Sequence, residues 1–145
     1  MKVFLDTNIL IAASIRQHPQ FYAADRVIQR CADKEDEGVI HSHSLLEFHS
    51  AITQLPEGLA VPPGQVGVLL KEGLLPFLRC VNLTVKQVHQ VQKRAGELGL
   101  MGGVIYDLYH LAVAEKESVE KLLTFNVLHF QQLASPEWQS RISRP

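Results

Sequence analysis

The chain has 145 residues, of which 46% are hydrophobic and 20% are charged. This composition fits one globular domain over residues 1–145 and excludes an intrinsically disordered chain. No apolar run approaches the ~18 residues that a membrane span requires, and no secretory leader is visible, so we expect a cytoplasmic protein without membrane contact. Because the formal charge is only −1, any RNA binding must depend on a local patch or on a metal ion.

The first half of the chain alternates short strands with helices. The apolar run 2–5 predicts a strand, and helices are expected at about 8–14 and 20–33. Residues 38–41 predict a second strand. A helix capped by serines should follow and end before Pro56, because the residue before a proline disfavours helical geometry.

The second half continues this alternation. Residues 56–64 are rich in proline and glycine and predict a loop, followed by a helix over about 65–75. A third strand is expected within 78–84 and a helix over 86–98. After a glycine-rich break, residues 104–117 predict another helix and 121–126 a final strand. Cys31 and Cys80 lack metal-ligand spacing and are expected to be buried thiols.

Strands that alternate with helices at this spacing predict a three-layer α/β/α domain with a central, mainly parallel sheet. Ligand sites in such sheets lie beyond the carboxyl ends of the strands. Polar side chains that follow a strand are therefore the first candidates for function.

Asp6 directly follows the first predicted strand, with Thr7 and Asn8 after it. A functional carboxylate and a simple helix cap explain Asp6 about equally well. Thr124 and Asn126 end the last predicted strand and should reach the same edge of the sheet as Asp6. Turn chemistry is the alternative explanation for Asn126.

Two further acids lie on predicted helices. Glu47 falls at the border of an apolar helical face, where it faces a cleft or shields the rim of the core. Asp107 lies in an otherwise apolar helix, and an unpaired buried carboxylate is costly. Either His110, one turn further along, forms a local ion pair with Asp107, or a metal ion shared with other acids neutralises it.

The sequence contains further histidines near these acids. His41, His43 and His49 surround a predicted junction between strand and helix, but no cysteine joins them. We interpret them as surface or packing residues and not as a zinc site.

Four segments in this order resemble the PIN domain family, and within it the VapC-like toxins of toxin–antitoxin pairs. They are FLDTNIL, LLEFHSAITQLP, GGVIYDLYHLAVA and LLTFNVLHF, and together they extend over nearly the whole chain. The resemblance implies a three-layer α/β fold and a ribonuclease that depends on Mg²⁺ or Mn²⁺. It also implies a cognate antitoxin, an RNA substrate and a homodimer.

The resemblance also assigns roles to individual residues. It places the catalytic acids at Asp6, Glu47 and Asp107, which are the expected metal ligands, and the fourth catalytic position at Asn126. Supporting residues are expected at Thr7, Asn8, Thr124 and His110. The family commonly has an acid at the fourth position, where this chain has the uncharged Asn126. The resemblance therefore leaves open whether one or two metal ions bind.

The sequence is compatible with two other functions. A catalytically silent PIN-like module that binds RNA or protein is compatible with Asn126 and with the near-zero net charge. A phosphoryl-transfer enzyme with Asp6 as the nucleophile is disfavoured, because hydrolases of the haloacid dehalogenase type carry a second acid two residues later, where this chain has Asn8.

Overall fold

The computed structural model describes residues 1–145 and contains five strands and eight helices. The strands are β1 (Lys2–Leu5), β2 (Glu37–His41), β3 (Leu78–Val81), β4 (Lys121–Leu123) and β5 (Ile142–Ser143). The helices are α1 (Thr7–Ser14), α2 (Phe21–Ala32), α3 (Ser42–Ile52), α4 (Pro63–Gly73), α5 (Val85–Glu97), α6 (Val104–Lys116), α7 (Val127–Leu133) and α8 (Pro136–Gln139). None of these helices is long and apolar enough to cross a membrane.

The five strands form one sheet in the order β3-β2-β1-β4-β5, and every neighbouring pair is parallel. The predicted parallel sheet is therefore confirmed. All strands end at the same side, which we call the carboxyl edge and define by the last residues Leu5, His41, Val81, Leu123 and Ser143. The opposite side, where the strands begin, is the amino edge.

Two hydrophobic cores lie on the two faces of the sheet. Alternate residues of β1 point to opposite faces, so Val3 and Leu5 join one core while Phe4 joins the other. Helices α1 to α4 pack on the face of Val3, and α5 to α7 pack on the face of Phe4. This arrangement confirms the predicted three-layer α/β/α architecture.

Several boundaries differ from the prediction. The segment 121–126 is not the final strand, because β4 ends at Leu123 and is followed by α7, α8 and β5, which were not predicted. The predicted loop is shorter, since α4 already begins at Pro63, a residue whose fixed backbone angle suits the first helical turn. Cys31 is buried as expected, but Cys80 is exposed.

The start of α3 also differs from the prediction. The N-cap is His41, whose ring nitrogen Nδ1 accepts a hydrogen bond from the backbone N–H of His43 at 3.3 Å. The cap is therefore a histidine and not one of the serines. As the last residue of β2, this histidine lies at the carboxyl edge of the sheet.

Candidate active site

Asp6 lies where β1 meets its neighbour β4 at the carboxyl edge. The backbone N–H of Asp6 donates to the carbonyl oxygen of Leu123 at 3.0 Å, which extends the pairing of the two strands by one residue. The side chain of Asp6 makes no capping hydrogen bond to α1. Instead, the hydroxyl of Thr124 donates to Asp6 Oδ2 at 2.7 Å. Helix capping therefore does not account for this carboxylate.

The hydroxyl of Thr124 is held in place by two donors besides its bond to Asp6. Its oxygen accepts from Asn8 Nδ2 at 3.1 Å and from the backbone N–H of Asn126 at 3.0 Å. Asn8 Oδ1 in turn accepts from the backbone N–H of Phe125 at 3.3 Å. Because two donors occupy the lone pairs of the Thr124 hydroxyl, its own proton is directed at Asp6.

The carboxylate of Asp6 is buried without a cation. The residue is only 5% exposed, and no lysine, arginine or histidine forms an ion pair with it. Burial raises the pKa of Asp6 to about 6, and the nearby carboxylate of Asp107 acts in the same direction. The hydrogen bond from Thr124 and the positive potential of His110 offset only part of this effect. Asp6 is therefore a desolvated acid without an ion-pair partner.

Glu47 lies on α3 and is compensated by a histidine. Its Oε1 is 2.5 Å from Nε2 of His110, a residue of α6 that is fully buried, and Thr7 donates to the same oxygen at 3.4 Å. Burial opposes ionisation of Glu47, but the hydrogen bond and charge of His110 outweigh it and lower the pKa of Glu47. The sequence suggested His110 as a partner for Asp107, whereas the structure pairs it with Glu47.

Asp107 lies in the first turn of α6, with a side chain that is 29% exposed. Its Oδ2 is 2.8 Å from Nε2 of His129, which lies on α7. The carboxylate is thus neither fully buried nor unpaired. The sequence predicts a buried acid, because the rest of the helix is apolar. Sequence analysis missed His129 because α7 was not predicted.

Aromatic rings and histidines line the side of the site near Glu47. The ring of His43 stacks on Tyr106, with centroids 4.4 Å apart and an angle of 22° between the planes. His43 Nε2 also lies 3.7 Å from Glu47 Oε1. Burial and the neighbouring histidines lower the pKa of His41 to about 4, so this ring is neutral at physiological pH. His41 and His43 are therefore packing residues, as predicted, but they pack against the site itself.

Comparison with known proteins identifies the family. Residues 3–134 match the PIN domain family. The chain belongs to the PIN domain family. No curated protein sequence matches it significantly.

Solved structures with the same fold extend this assignment. The structure of VapBC2 from Rickettsia felis, bound to a DNA fragment from their promoter, contains a chain with 21% identity and a TM-score of 0.67. The match covers 99% of this PIN domain chain and 98% of that chain. VapC20 of Mycobacterium tuberculosis, a toxin that cleaves the sarcin-ricin loop, matches with 16% identity and a TM-score of 0.62, over 83% of this chain and 86% of its own. FitAcB from Neisseria gonorrhoeae matches with 17% identity and a TM-score of 0.61, over 90% and 92%. At these identities the comparison confirms the fold.

The oxygen donors of this PIN domain suit a hard divalent cation. Mg²⁺ takes one or two carboxylates and retains several waters, and Asp6 offers a buried carboxylate near enough to Asp107 for the negative charge of Asp107 to raise its pKa. No three side chains of the His, Cys, Asp and Glu types are close enough to hold one metal ion together. Asp6, Glu47 and Asp107 do not form such a group, and Glu47 and Asp107 are each paired with a histidine.

Asn126 occupies the fourth predicted position at the N-cap of α7. It is exposed, and its side chain makes no capping hydrogen bond. Only its backbone N–H joins the network, through Thr124. The amide adds no negative charge to the site. Asn8, which stands where a phosphoaspartyl hydrolase would carry its second acid, is committed to Thr124 and Phe125.

Proposed function

We propose that this PIN domain is an endoribonuclease that depends on Mg²⁺ or Mn²⁺ and hydrolyses RNA phosphodiester bonds. The observation that carries the proposal is the desolvated carboxylate of Asp6, which has no cationic partner and lies beside a second acid, Asp107. An unpaired buried carboxylate destabilises the folded state, and an ion pair or a neutral residue at this position would remove that destabilisation. Acids of this kind are therefore concentrated at functional sites.

Each residue of the site has a role in this proposal. Asp6 and Asp107 hold the cation, and Thr124 orients the carboxylate of Asp6. When bound, the divalent ion polarises the phosphodiester and lowers the pKa of the attacking water. Glu47 Oε1 is occupied by His110 and Thr7, which leaves Oε2 without a protein partner. This second oxygen would accept the proton of the water that attacks phosphorus. The bond from phosphorus to the 3′-oxygen breaks, and solvent water protonates that oxygen, so the products are a 5′-phosphate and a 3′-hydroxyl.

The biological role proposed is that of the toxin in a toxin–antitoxin pair. The family resemblance supports it, and so does the shared fold with VapC20, described as a toxin that cleaves the sarcin-ricin loop. VapBC2 and FitAcB share the fold as well. In this role a cognate antitoxin inhibits the chain, and the active form is a homodimer.

A catalytically silent PIN module is the second candidate. It is favoured by the histidine pairs of Glu47 and Asp107 and by the lack of a three-acid cluster. A silent module would bind RNA or protein and cleave nothing with any divalent metal. The two candidates therefore differ in a single measurable property.

The test is RNA cleavage by the purified chain. Total RNA and transfer RNA are incubated with Mg²⁺, with Mn²⁺ or with chelator, and Asp6→Asn is assayed beside the wild type. Asp33→Asn is the matched control, because Asp33 is an exposed acid without an ion pair. We expect cleavage that requires metal, persists in Asp33→Asn and falls at least about 100-fold in Asp6→Asn. Cleavage in chelator, or full activity of Asp6→Asn, would contradict the proposal.

A further inference from the structure

A groove of about 510 Å³ lies beside the candidate active site. It is lined by Phe125, Asn126, Val127, Leu128, His129 and Arg144. Two of these residues connect it to the acids. His129 pairs with Asp107 directly, and the backbone of Asn126 donates to Thr124, which in turn donates to Asp6. A chain of nucleotides bound at the acids would therefore continue into this groove.

The topology of the sheet places a cation in this groove. Strand β5 runs parallel to β4, and the backbone N–H of Thr124 donates to the carbonyl oxygen of Ser143 at 3.0 Å. The next residue, Arg144, therefore emerges at the carboxyl edge, on the same side as Asp6. No strong sequence signal marks it, because β5 is only two residues long.

The guanidinium of Arg144 is free. It forms no hydrogen bond and no ion pair with any residue of the chain, whereas Arg30, Arg79 and Arg94 are all bound to carboxylates. Beside it, Leu128 is 76% exposed and adds an apolar surface to the groove. The groove thus combines a free cation, which suits a backbone phosphate, with an apolar wall against which a base can pack.

The charge of the site favours such a cation in its RNA-binding groove. Asp6, Glu47 and Asp107 repel the phosphates of an approaching RNA, and the net charge of −1 provides no general attraction. Guanidinium groups bind phosphate oxygens in a bidentate geometry. We propose that Arg144 binds a backbone phosphate of single-stranded RNA next to the scissile bond, and that the groove holds this neighbouring nucleotide. The inference rests on the proposed nuclease function and names a substrate-binding residue for it.

The test measures binding apart from cleavage. A fluorescein-labelled single-stranded RNA is titrated with the chain in chelator, and its anisotropy is followed over a series of NaCl concentrations. The variants are Arg144→Gln, which removes the charge, and Arg144→Lys, which keeps it. Arg26→Gln is the matched control, because Arg26 is exposed on α2 and unpaired.

We expect Arg144→Gln to weaken binding about fivefold to tenfold and to make the slope of log affinity against log salt shallower by about 0.7. Arg144→Lys should retain the slope with part of the affinity, and Arg26→Gln should match the wild type. An unchanged slope in Arg144→Gln, an equal loss in Arg26→Gln, or no RNA binding by the wild type would overturn the inference.

The outcomes separate this inference from the proposed nuclease. If the wild type cleaves RNA but Arg144→Gln binds and cleaves like it, only the role of Arg144 fails. If Arg144 governs RNA binding but no divalent metal supports cleavage, the nuclease fails and the phosphate site stands as part of an RNA-binding module.

Discussion

A buried aspartate lies at each of the two edges of the sheet, but only the one at the amino edge is paired with cations. At the amino edge, Asp36 is 9% exposed and accepts hydrogen bonds from Arg30 at 2.7 Å and from the N-terminal ammonium group at 2.8 Å. The bonds from Arg30 are the main reason why the pKa of Asp36 falls to about 2. At the carboxyl edge, Asp6 is 5% exposed, accepts a hydrogen bond from the neutral hydroxyl of Thr124 and from no cation, and has a pKa of about 6.

Burial alone therefore does not determine the pKa of an acid in this fold. The same amino edge also pairs Glu117 with Arg79 and Lys2, so the cations of the sheet are concentrated where they stabilise structure. The carboxyl edge has histidines for Glu47 and Asp107 but no cationic partner for Asp6. This difference is what the proposed function explains, because a bound cation would compensate the charge of Asp6.

The largest expected effect comes from removing the uncompensated charge. The pKa of Asp6 is raised from its ordinary value of 3.8 to about 6, so the folded chain binds this proton more tightly than the unfolded chain. The contribution of protonated Asp6 to the free energy of unfolding is complete below about pH 4 and is lost as the pH rises through 6. In chelator at pH 7, Asp6→Asn should therefore be more stable than the wild type, by up to about 3 kcal/mol.

Urea denaturation over a pH series measures this difference. The advantage of Asp6→Asn should shrink as the pH falls from 7 to 4. A variant that is less stable than the wild type at pH 7 would show that the carboxylate is compensated after all.

The next effect concerns the buried histidine of the carboxyl edge. His110→Ala leaves a cavity in α6 and removes the hydrogen bond to Glu47. We expect the free energy of unfolding to fall by about 2 to 3 kcal/mol. His89→Ala on the exposed side of α5 is the control and should change it by less than about 0.5 kcal/mol. Similar values for the two variants would refute the Glu47–His110 pair.

Removing the ion pairs of Asp36 at the amino edge should change the free energy of unfolding by a smaller amount. Asp36→Asn removes the pairs with Arg30 and the N-terminus, and we expect a loss of roughly 1 kcal/mol, since half of the Arg30 side chain is exposed and its charge is screened. The pKa of Asp36 is lowered in the fold, so its contribution is present above about pH 4 and is lost as the pH falls towards 2.

Acid denaturation followed by circular dichroism checks the sign of this effect. The wild type should lose stability relative to Asp36→Asn between pH 4 and pH 2, and the two should cleave RNA equally at pH 7. A large loss of cleavage in Asp36→Asn would mean that the two edges are not functionally distinct.

The smallest effect should come from adding charge to the carboxyl edge. Asn126→Asp supplies a fourth carboxylate, and we expect Mg²⁺ to bind about threefold more tightly in calorimetric titrations, because affinity rises with the number of charged ligands. Asn82→Asp, after β3 and far along the same edge, is the matched control. Equal affinities for the wild type and Asn126→Asp would place position 126 outside the cation site.

Much of the fold could be predicted because its elements carry strong local patterns. The strands β1 to β4 and the helices α1 to α6 were all predicted within a few residues. The chain after Asn126 was not, because α7 has only seven residues, α8 four and β5 two. Elements of that length leave too few residues for a helical or strand period to be recognised.

The site could be predicted only in part, for a related reason. Asp6 and Thr124 were expected together because both follow strands that end at one edge, and the structure joins them at 2.7 Å. The partners of Glu47 and Asp107 depend on how helices face each other, which no local pattern encodes. His110 therefore binds Glu47 and not Asp107, and His129 arrives on an unpredicted helix.

The most direct test of the account is the titration of Asp6 itself. Carbon-13 NMR of the aspartate carboxyl groups, with Asp6→Asn used to assign the resonance, gives its pKa in chelator and again with Mg²⁺. We predict a pKa of about 6 in chelator and a clear decrease when Mg²⁺ is added, because a bound cation favours the ionised form. An ordinary pKa near 3.8, unaffected by Mg²⁺, would contradict the claim that Asp6 is an uncompensated acid reserved for a cation.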